Sequence, residues 1–188
     1  MDKIEFAKLD FRIVDEDDIT SELDHAIREG LVKCFPGDRE LFSRQRWWHS
    51  PQSWTIAALE PDGTVASSLC IIERNITVGG EGRTLTVAGI GNVFAIPQWQ
   101  NTGLIDRVMA LALEDARKRG IKAGLLFCLP VLEKIYSRMG WRKIDAAVFM
   151  QDESGARALL PAKNIVMAIP IMLEKFPEGD IDLMGRDW

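Results

Sequence analysis

The sequence is poor in the residue types that build metal sites and disulfide frameworks. Its 188 residues include three cysteines and two histidines, and the cysteines lie far apart with no Cys-x-x-Cys spacing. Such a set offers too few ligands for a metal site. The odd number of cysteines argues against a disulfide framework, so the sequence predicts a metal-free protein of a reducing compartment, the cytoplasm.

Long apolar runs and an excess of basic residues are also missing. No stretch approaches the roughly 18 apolar residues of a membrane-spanning helix, and the first ten residues do not resemble a signal peptide. The formal net charge is −5, whereas nucleic acids and anionic membranes need a basic footprint. We therefore expect neither as a partner, and a mild preference for cationic ligands such as amines.

A hydrophobic content of 47% over this length fits one globular domain spanning residues 1–188. Predicted strands outnumber predicted helices, and a strand–helix–strand–helix unit lies in the middle, which indicates an α/β fold with a mixed sheet. The predicted strands cover 11–14, 54–59, 65–78, 84–96, 123–129, 143–150 and 165–171, and the predicted helices cover about 23–32, 39–48, 103–119 and 131–139, with loop or short helix at 151–164.

The segment between the strand ending at Ile96 and the helix after Gly103 consists of small and polar residues. A turn of this kind at a helix N-terminus leaves backbone N–H groups without partners and the positive end of the helix dipole exposed. Such a place can bind phosphate, although most strand–turn–helix joints bind nothing. Either Asn101 or Thr102 can cap the helix, and Gly120 is expected to end it.

Two motifs resemble those of the GCN5-related N-acetyltransferase (GNAT) superfamily. Phe94-x-Ile96-Pro97-x-Trp99-Gln100-x-x-Gly103-Leu104 is similar to the loop that binds the pyrophosphate of acyl-CoA, and Tyr136-Ser137-Arg138-Met139-Gly140-Trp141 is similar to the family's Tyr-x-x-x-Gly-Phe segment. The family pattern ends the loop with Gly or Ala, where this chain has Ile105, whose branched side chain could weaken or redirect the cofactor.

This resemblance implies a mixed, mostly antiparallel central sheet flanked by helices, with a splayed strand pair that forms the acyl-CoA cleft. It implies that acetyl-CoA is the acyl donor, attacked directly by a neutral amine while a strand N–H holds the carbonyl oxygen. Tyr136 is the implied acid that protonates the departing thiolate. The implied cofactor-binding residues are Phe94, Ala95, Ile96, Gln100, Asn101, Thr102, Gly103, Leu104 and Ile105.

The general base is left open by the sequence. Relatives often place a glutamate on the strand before the pyrophosphate loop, and the matching residue here is Asn92, which cannot act as a base. We expect Asn92 to orient a water or the substrate. Glu73, His49 and the terminal carboxylate are alternative bases, and an acceptor amine of low pKa would need little help.

Within the superfamily, the chain is similar to the aminoglycoside N-acetyltransferases and the rhizobial nodulation N-acyltransferases. The first branch implies that segment 173–188, with Asp187 and Trp188, lines the acceptor site, and a disordered acidic tail is the alternative. Trp48 is expected to line the acceptor pocket, because adjacent tryptophans cannot both face the core, although surface packing is an alternative. Similar proteins are often dimers, so a homodimer is also possible. The similarity is carried by Phe35-Pro36-Gly37-Asp38, Ile72-Glu73-Arg74, the stretch 87–103 and Leu183-Met184-Gly185-Arg186-Asp187-Trp188.

The resulting hypothesis is an N-acetyltransferase that acts on a primary amine of an amino sugar, an aminoglycoside or a polyamine-like molecule. Two alternatives stay open. Because Ile105 and Asn92 depart from the family pattern, the chain could be a non-catalytic acyl-CoA-binding or sensing protein. It could also be an N-acyltransferase that uses a longer acyl donor.

Overall fold

The computed structural model describes residues 6–80 and 83–188. Within these residues, no helix is both long enough and apolar enough to cross a membrane. The helices are α1 (Ser21–Cys34), α2 (Arg39–Phe42), α3 (Leu104–Lys118) and α4 (Glu133–Arg138). The strands are β1 (Asp10–Asp15), β2 (Trp54–Leu59), β3 (Val65–Val78), β4 (Thr84–Ala95), β5 (Ala123–Cys128), β6 (Arg142–Lys143), β7 (Val148–Gln151), β8 (Arg157–Leu159), β9 (Ile165–Pro170) and β10 (Ile181–Asp182).

The chain divides into two compact units. The first unit contains the residues up to Ile71 together with Asn92–Ala112, and the second contains Ile72–Gly91 and Leu113–Trp188. Three elements, β3, β4 and α3, run from one unit into the other.

The first unit contains an antiparallel sheet covered by α1 and α2. β2 pairs with β1 and with the first half of β3, and these pairings are antiparallel. The β2–β3 hairpin turns at Gly63, whose φ of 88° is a conformation that glycine adopts without strain. The helix α1 begins where the Thr20 hydroxyl accepts a hydrogen bond from the Leu23 N–H at 3.3 Å. Its apolar face packs on Phe42 and on sheet residues, in a core made of Leu23, Ile27, Leu31, Phe42, Ala57, Leu59, Val65, Phe94 and Ile96.

The second unit contains the remaining strand pairs. β4 and β5 are parallel, from Val87 opposite Ala123 to Ile90 opposite Leu126. β5 pairs antiparallel with β9, and β9 with β6. β10 lies between β3, to which it is antiparallel, and β7, to which it is parallel, and β7 also pairs antiparallel with β8. Antiparallel pairs predominate, as predicted, and helices accompany the mixed sheet in the predicted α/β fold.

Helix α3 confirms the prediction made from its hydrophobic period. Its buried side chains recur at helical spacing: Leu104, Val108, Met109, Ala112 and Ala116. Arg117 and Lys118 lie in its last turn, where cations suit the negative end of the helix dipole. Gly120 follows with a φ of 82°, the left-handed conformation that often ends a helix.

Three local predictions are wrong. The helix predicted over 39–48 ends at Phe42, because the chain turns away so that Arg46 reaches carboxylates elsewhere in the first unit. The strand predicted over 143–150 is two separate strands, β6 and β7, which pair with different neighbours. The segment 151–164 contains β8 rather than only loop or helix.

The segment 173–188 is an ordered part of the second unit. Its strand β10 pairs on both edges, and Ile181 and Leu183 are completely buried in the core of this unit. Trp188 packs against the same core. The acidic residues of the tail therefore lie on a segment that is fixed by its apolar side chains.

Candidate functional site

The segment that resembles the pyrophosphate loop is anchored at its start in the first unit. The Phe94 carbonyl accepts a hydrogen bond from the Ser67 hydroxyl at 2.6 Å, and the Ile96 N–H donates to the Ala66 carbonyl at 3.0 Å. The Phe94 ring lies against Gly30 so closely that a Cβ there would be 2.5 Å from it. These contacts fix the end of β4.

After Ile96 the chain makes one short turn before α3. The Trp99 N–H donates to the Ile96 carbonyl at 2.8 Å, and its indole N–H donates to Glu60 Oε1 at 2.8 Å. The Gln100 side chain turns back and donates to the Ala95 carbonyl at 3.1 Å. This hydrogen bond ties the turn to the end of β4.

The second half of the turn opens outward. Asn101 and Gly103 have φ values of 60° and 85°, which direct the backbone sharply into α3. The Thr102 hydroxyl donates to the Trp99 carbonyl at 2.7 Å and accepts from the Leu104 N–H at 3.4 Å, which confirms Thr102 as a cap.

The surroundings of Gly103 in this turn are open. Among the described residues, a Cβ placed on Gly103 would meet nothing within 4 Å, and Gly103 itself is exposed. The first N–H groups of a helix have no intrahelical acceptor, and α3 is 15 residues long, long enough for a dipole that favours an anion. Leu104 is buried and Ile105 is half-buried, so both help to hold the helix start in place.

Asn92 lies on β4 with a φ of 52°, a conformation that asparagine tolerates better than most residues. Its side-chain amide donates a hydrogen bond to the Arg46 carbonyl. Trp48, close to Arg46 in sequence, is 38% exposed, and its ring meets the Phe42 ring edge-on with centroids 5.3 Å apart. Trp48 thus combines partial packing with a surface open to a ligand.

A buried arginine in this unit was missed by the sequence analysis. Arg46 is 2% exposed, and its guanidinium donates at 2.6 Å to Asp24, to Glu16 and to Gln52. Burial would raise the pKa of Asp24, but hydrogen bonds and positive charge from Arg28 and Arg46 outweigh it and lower that pKa. The partners are far apart in sequence, so no local signal could have revealed the cluster.

In the second unit, Tyr136 is buried with 8% exposure. Burial, with a smaller contribution from Cys128, raises the pKa of Tyr136 to about 12. Its ring meets the Trp141 ring edge-on with centroids 6.4 Å apart. Burial also raises the pKa of the Cys128 thiol to about 11, so this cysteine is not a thiolate at neutral pH. Because its pKa is raised to about 12, the Tyr136 hydroxyl is protonated at neutral pH.

Trp188 lies over β4 in the second unit. A Cβ on Gly89 would be 2.4 Å from its ring, and the Phe127 ring is 4.8 Å from it between centroids. The Arg74 guanidinium is 5.3 Å from the Trp188 ring centroid and donates to the Arg186 carbonyl. Among the described residues, the indole N–H of Trp188 is buried and has no hydrogen-bond partner.

Asp187 sits beside this aromatic group and acts on Arg74. Burial lowers the pKa of Arg74, and the negative charge of Asp187 opposes that shift. Phe127, which the sequence analysis did not single out, contacts Trp188 because it continues β5 on the same face as Leu125.

The candidate residues are thus distributed over both units. Trp48, Asn92 and the loop from Phe94 to Ile105 belong to the first unit. Tyr136, Asp187 and Trp188 belong to the second. Each unit by itself holds one part of the predicted site: an open turn at a helix N-terminus in the first, and a buried, protonated tyrosine together with the Trp188, Arg74 and Asp187 cluster in the second.

Comparisons with known proteins identify a family for this chain. A family model described as "Acetyltransferase (GNAT) domain" matches residues 15–144. No curated protein matches the chain significantly.

Many solved structures share the fold at low sequence identity. YhbS, a GNAT family N-acetyltransferase from Escherichia coli solved in complex with CoA, aligns with a TM-score of 0.60 and 15% identity over 94% of this chain and 89% of its own. An acyl-CoA N-acyltransferase from Pseudomonas aeruginosa aligns with a TM-score of 0.58 and 18% identity, covering 85% of this chain and 98% of that one. Escherichia coli ElaA gives 0.61 and 12%, with coverages of 85% and 98%. At such identities the likeness shows the fold alone.

Proposed function

Because the chain belongs to the acetyltransferase (GNAT) domain family, we propose that it transfers an acetyl group from acetyl-CoA to a primary amine of a small cationic acceptor. The observation that carries the proposal is the turn from Gln100 to Gly103, which presents the start of α3 to open space. A strand, a tight turn and a helix N-terminus together form a site for phosphate groups. The pyrophosphate of CoA is a ligand of this kind.

The transfer itself needs no metal and no covalent enzyme intermediate. The amine nitrogen attacks the thioester carbonyl carbon, so that a C–N bond forms and the C–S bond breaks. The electron pair of that bond leaves with the sulfur as a thiolate. The attacking nitrogen loses its proton to water, and a group that protonates the thiolate regains its own proton from water after the transfer. Tyr136 is our candidate to donate a proton to the thiolate.

The pKa of Tyr136 limits how completely it can transfer its proton to the thiolate. A hydroxyl with a pKa of about 12 is a weaker acid than an ordinary thiol, whose pKa is roughly 8.5. Full proton transfer is favourable only if the thiolate is also desolvated, since burial raises its pKa as well. In either case the protonated hydroxyl can stabilise the developing thiolate by a hydrogen bond.

The acceptor side of the proposal rests on Trp48 in the first unit and, separately, on Asp187 and Trp188 in the second. An aromatic face with a neighbouring carboxylate attracts cations, as the Arg74 guanidinium over the Trp188 ring illustrates, and a cationic amine is attracted by the same cation–π interaction and charge. The similarity to the aminoglycoside and nodulation branches favours an amino sugar or aminoglycoside over a simple polyamine.

Ligand binding to the turn is tested by thermal unfolding with acetyl-CoA or CoA. A ligand at 100 times its dissociation constant stabilises the folded state by roughly 2.7 kcal/mol, which raises the melting temperature. Gly103→Asp should abolish this shift by placing a carboxylate where phosphate binds, whereas Gly103→Asn, with a side chain of the same size but no charge, should weaken it less. Gly63→Asp is the matched control, because Gly63 has a similar φ of 88° and equally open surroundings. An undiminished shift in Gly103→Asp contradicts the proposed loop.

The rival functions are separated by turnover. Release of CoA from acetyl-CoA in the presence of a panel of aminoglycosides, amino sugars and polyamines supports the acetyltransferase. Binding of acetyl-CoA without turnover on any amine favours a sensor, consistent with Ile105 and Asn92 at positions where the family pattern differs. Faster turnover with octanoyl-CoA than with acetyl-CoA favours a longer acyl donor.

A further inference from the structure

Arg46 makes hydrogen bonds through both its side chain and its backbone. Its guanidinium donates to Glu16 Oε1, Asp24 Oδ1 and Gln52 Oε1, each at 2.6 Å. Its carbonyl oxygen accepts from the Gln52 amide at 2.8 Å and from the Asn92 amide. Arg46 is 2% exposed, so these hydrogen bonds are largely shielded from water.

These partners come from separate elements of the first unit. Glu16 follows β1, Asp24 lies in the first turn of α1, and Asn92 lies on β4. Arg46 itself belongs to residues 43–53, a segment without helix or strand between α2 and β2. The segment has no ladder of backbone hydrogen bonds along its length, so its conformation depends on contacts of this kind.

The charges at the cluster balance. The carboxylates of Glu16 and Asp24 face the guanidiniums of Arg46 and Arg28, and Arg28 donates to Asp24 at 2.6 Å. The second carboxylate oxygen of Glu16 is buried and has no partner among the described residues. Glu16 therefore depends on Arg46, and loss of that partner would leave a partly buried charge uncompensated.

We propose that Arg46 and Asn92 form a clamp that fixes residues 43–53, and with them Trp48, against β4, so that both act as positioning residues for acceptor binding. The part that concerns the acceptor rests on the proposed function. The clamp reassigns Asn92: its amide N–H group is committed to the Arg46 carbonyl, and its positive φ sets the course of β4 just before the cofactor loop. Asn92 then acts through backbone geometry rather than by orienting a water.

The clamp is tested first without reference to activity. Two reporter amides flank Arg46: the Gln45 N–H donates to the Leu41 carbonyl at 3.0 Å, and the Ser53 N–H donates to the Ile71 carbonyl at 2.7 Å. Hydrogen exchange is measured at these amides in Arg46→Lys, which keeps the charge but loses the three-pronged donor set, and in Asn92→Gly, which keeps the positive φ but loses the amide. Amides of α3 serve as the internal standard.

Both variants should accelerate exchange at the reporter amides at least about tenfold and leave α3 unchanged. The double variant should exchange at most about twofold faster than the faster single variant, because both substitutions release one clamp. Arg44→Lys is the matched control, since Arg44 is an exposed neighbour whose guanidinium pairs with Glu40 at the surface. Unchanged exchange in Asn92→Gly, or single effects that multiply in the double variant, overturns the clamp.

The second measurement asks whether the clamp serves the acceptor. Using an amine identified by the panel, Arg46→Lys should raise KM for the amine about tenfold or more and change KM for acetyl-CoA less than twofold. A merely structural role would reduce the amount of active enzyme and leave both KM values unchanged, and that result overturns the positioning role. If wild-type protein turns over no amine, the proposed function fails while the exchange measurement still decides the clamp.

Discussion

Two tryptophans of the second unit rest on glycines on opposite faces of the β4–β5 pair. Trp141 lies over Gly124 of β5, and Trp188 lies over Gly89 of β4. Gly89 is opposite Leu125 and Gly124 is opposite Ala88; because side chains alternate along a strand, the two glycines open onto different faces. In both places a Cβ would lie within 3 Å of the ring.

The surroundings of the two rings differ. Trp141 is 1% exposed, and the Tyr136 ring packs edge-on against it. It lies close in sequence to Gly124, on which it packs. Trp188 is about half the chain away from Gly89, is only partly buried, and shares its site with the cation of Arg74. The first contact is therefore closed to solvent, whereas the second is partly open.

The largest expected effect is on the Trp141 face. Tyr136→Phe should lower kcat by about 10²–10⁴-fold, the range for loss of a general acid, and should retain the melting temperature and the binding of acetyl-CoA, since only a hydroxyl is removed. Steady-state kinetics with an acceptor from the panel measure this. Undiminished turnover would mean that another group protonates the thiolate.

The buried hydroxyl also makes the stability of this face depend on pH. Tyr136 has a folded pKa of about 12 against an ordinary value of 10, so between these pH values the unfolded chain ionises first. The stabilisation is complete below pH 10 and is lost as pH rises towards 12, by roughly 3 kcal/mol. Denaturant titrations at pH 9 to 11.5 should show a steeper decline in wild type than in Tyr136→Phe. Parallel declines would show that the hydroxyl is not buried in solution.

The two glycines should respond unequally to the same substitution. Gly124→Ala forces a methyl group against Trp141 and against Ile169, at 2.7 and 2.8 Å, and should cost about 2–3 kcal/mol because the fully buried Trp141 ring has little room to move. Gly89→Ala should cost about 1 kcal/mol, because the partly exposed Trp188 ring can swing aside. Denaturant unfolding of both variants measures the difference, and equal losses would remove the distinction between the two faces.

On the Trp188 face, the substitution of Trp188 itself should affect acceptor binding by about one order of magnitude. Trp188→Ala should raise KM for the amine about tenfold, or roughly 1.4 kcal/mol of binding, while KM for acetyl-CoA stays nearly constant. Trp188→Phe keeps a smaller aromatic face, so its KM for the amine should fall between the values for wild type and Trp188→Ala. Equal changes in both constants, or none, would mean that the tail takes no specific part in acceptor recognition.

The parts of the fold that could be predicted are those with a local signal. The hairpin strands Trp54–Leu59 and Val65–Val78 were predicted with the observed bounds, because β-branched residues flank the Asp62-Gly63 turn. β10 could not be predicted, since two residues are too short to show a period and its pairing depends on β3 and β7.

In the candidate site, too, only features with a local sequence signal could be predicted. The motif predicted the turn at Gly103, and the structure gives it the open surroundings that a ligand needs. The motif did not predict that Gln100 turns back to the Ala95 carbonyl or that Asn92 is engaged by Arg46. Such hydrogen bonds join residues whose proximity arises only from folding, so a linear pattern carries no trace of them.

Because β10 is the last strand in the chain, it is synthesised last, and this order affects folding. All residues of the first unit have been made once Ala112 is added, whereas the core of the second unit lacks Ile181 and Leu183 until translation reaches them. Before that moment, the edge of β3 at Thr77 and Val78 has no β10 to cover it. An uncovered edge invites pairing with another chain. A chain released after β9 would therefore lack β10 and expose an unpaired strand edge in its sheet. We expect such a fragment to aggregate or to be bound by chaperones.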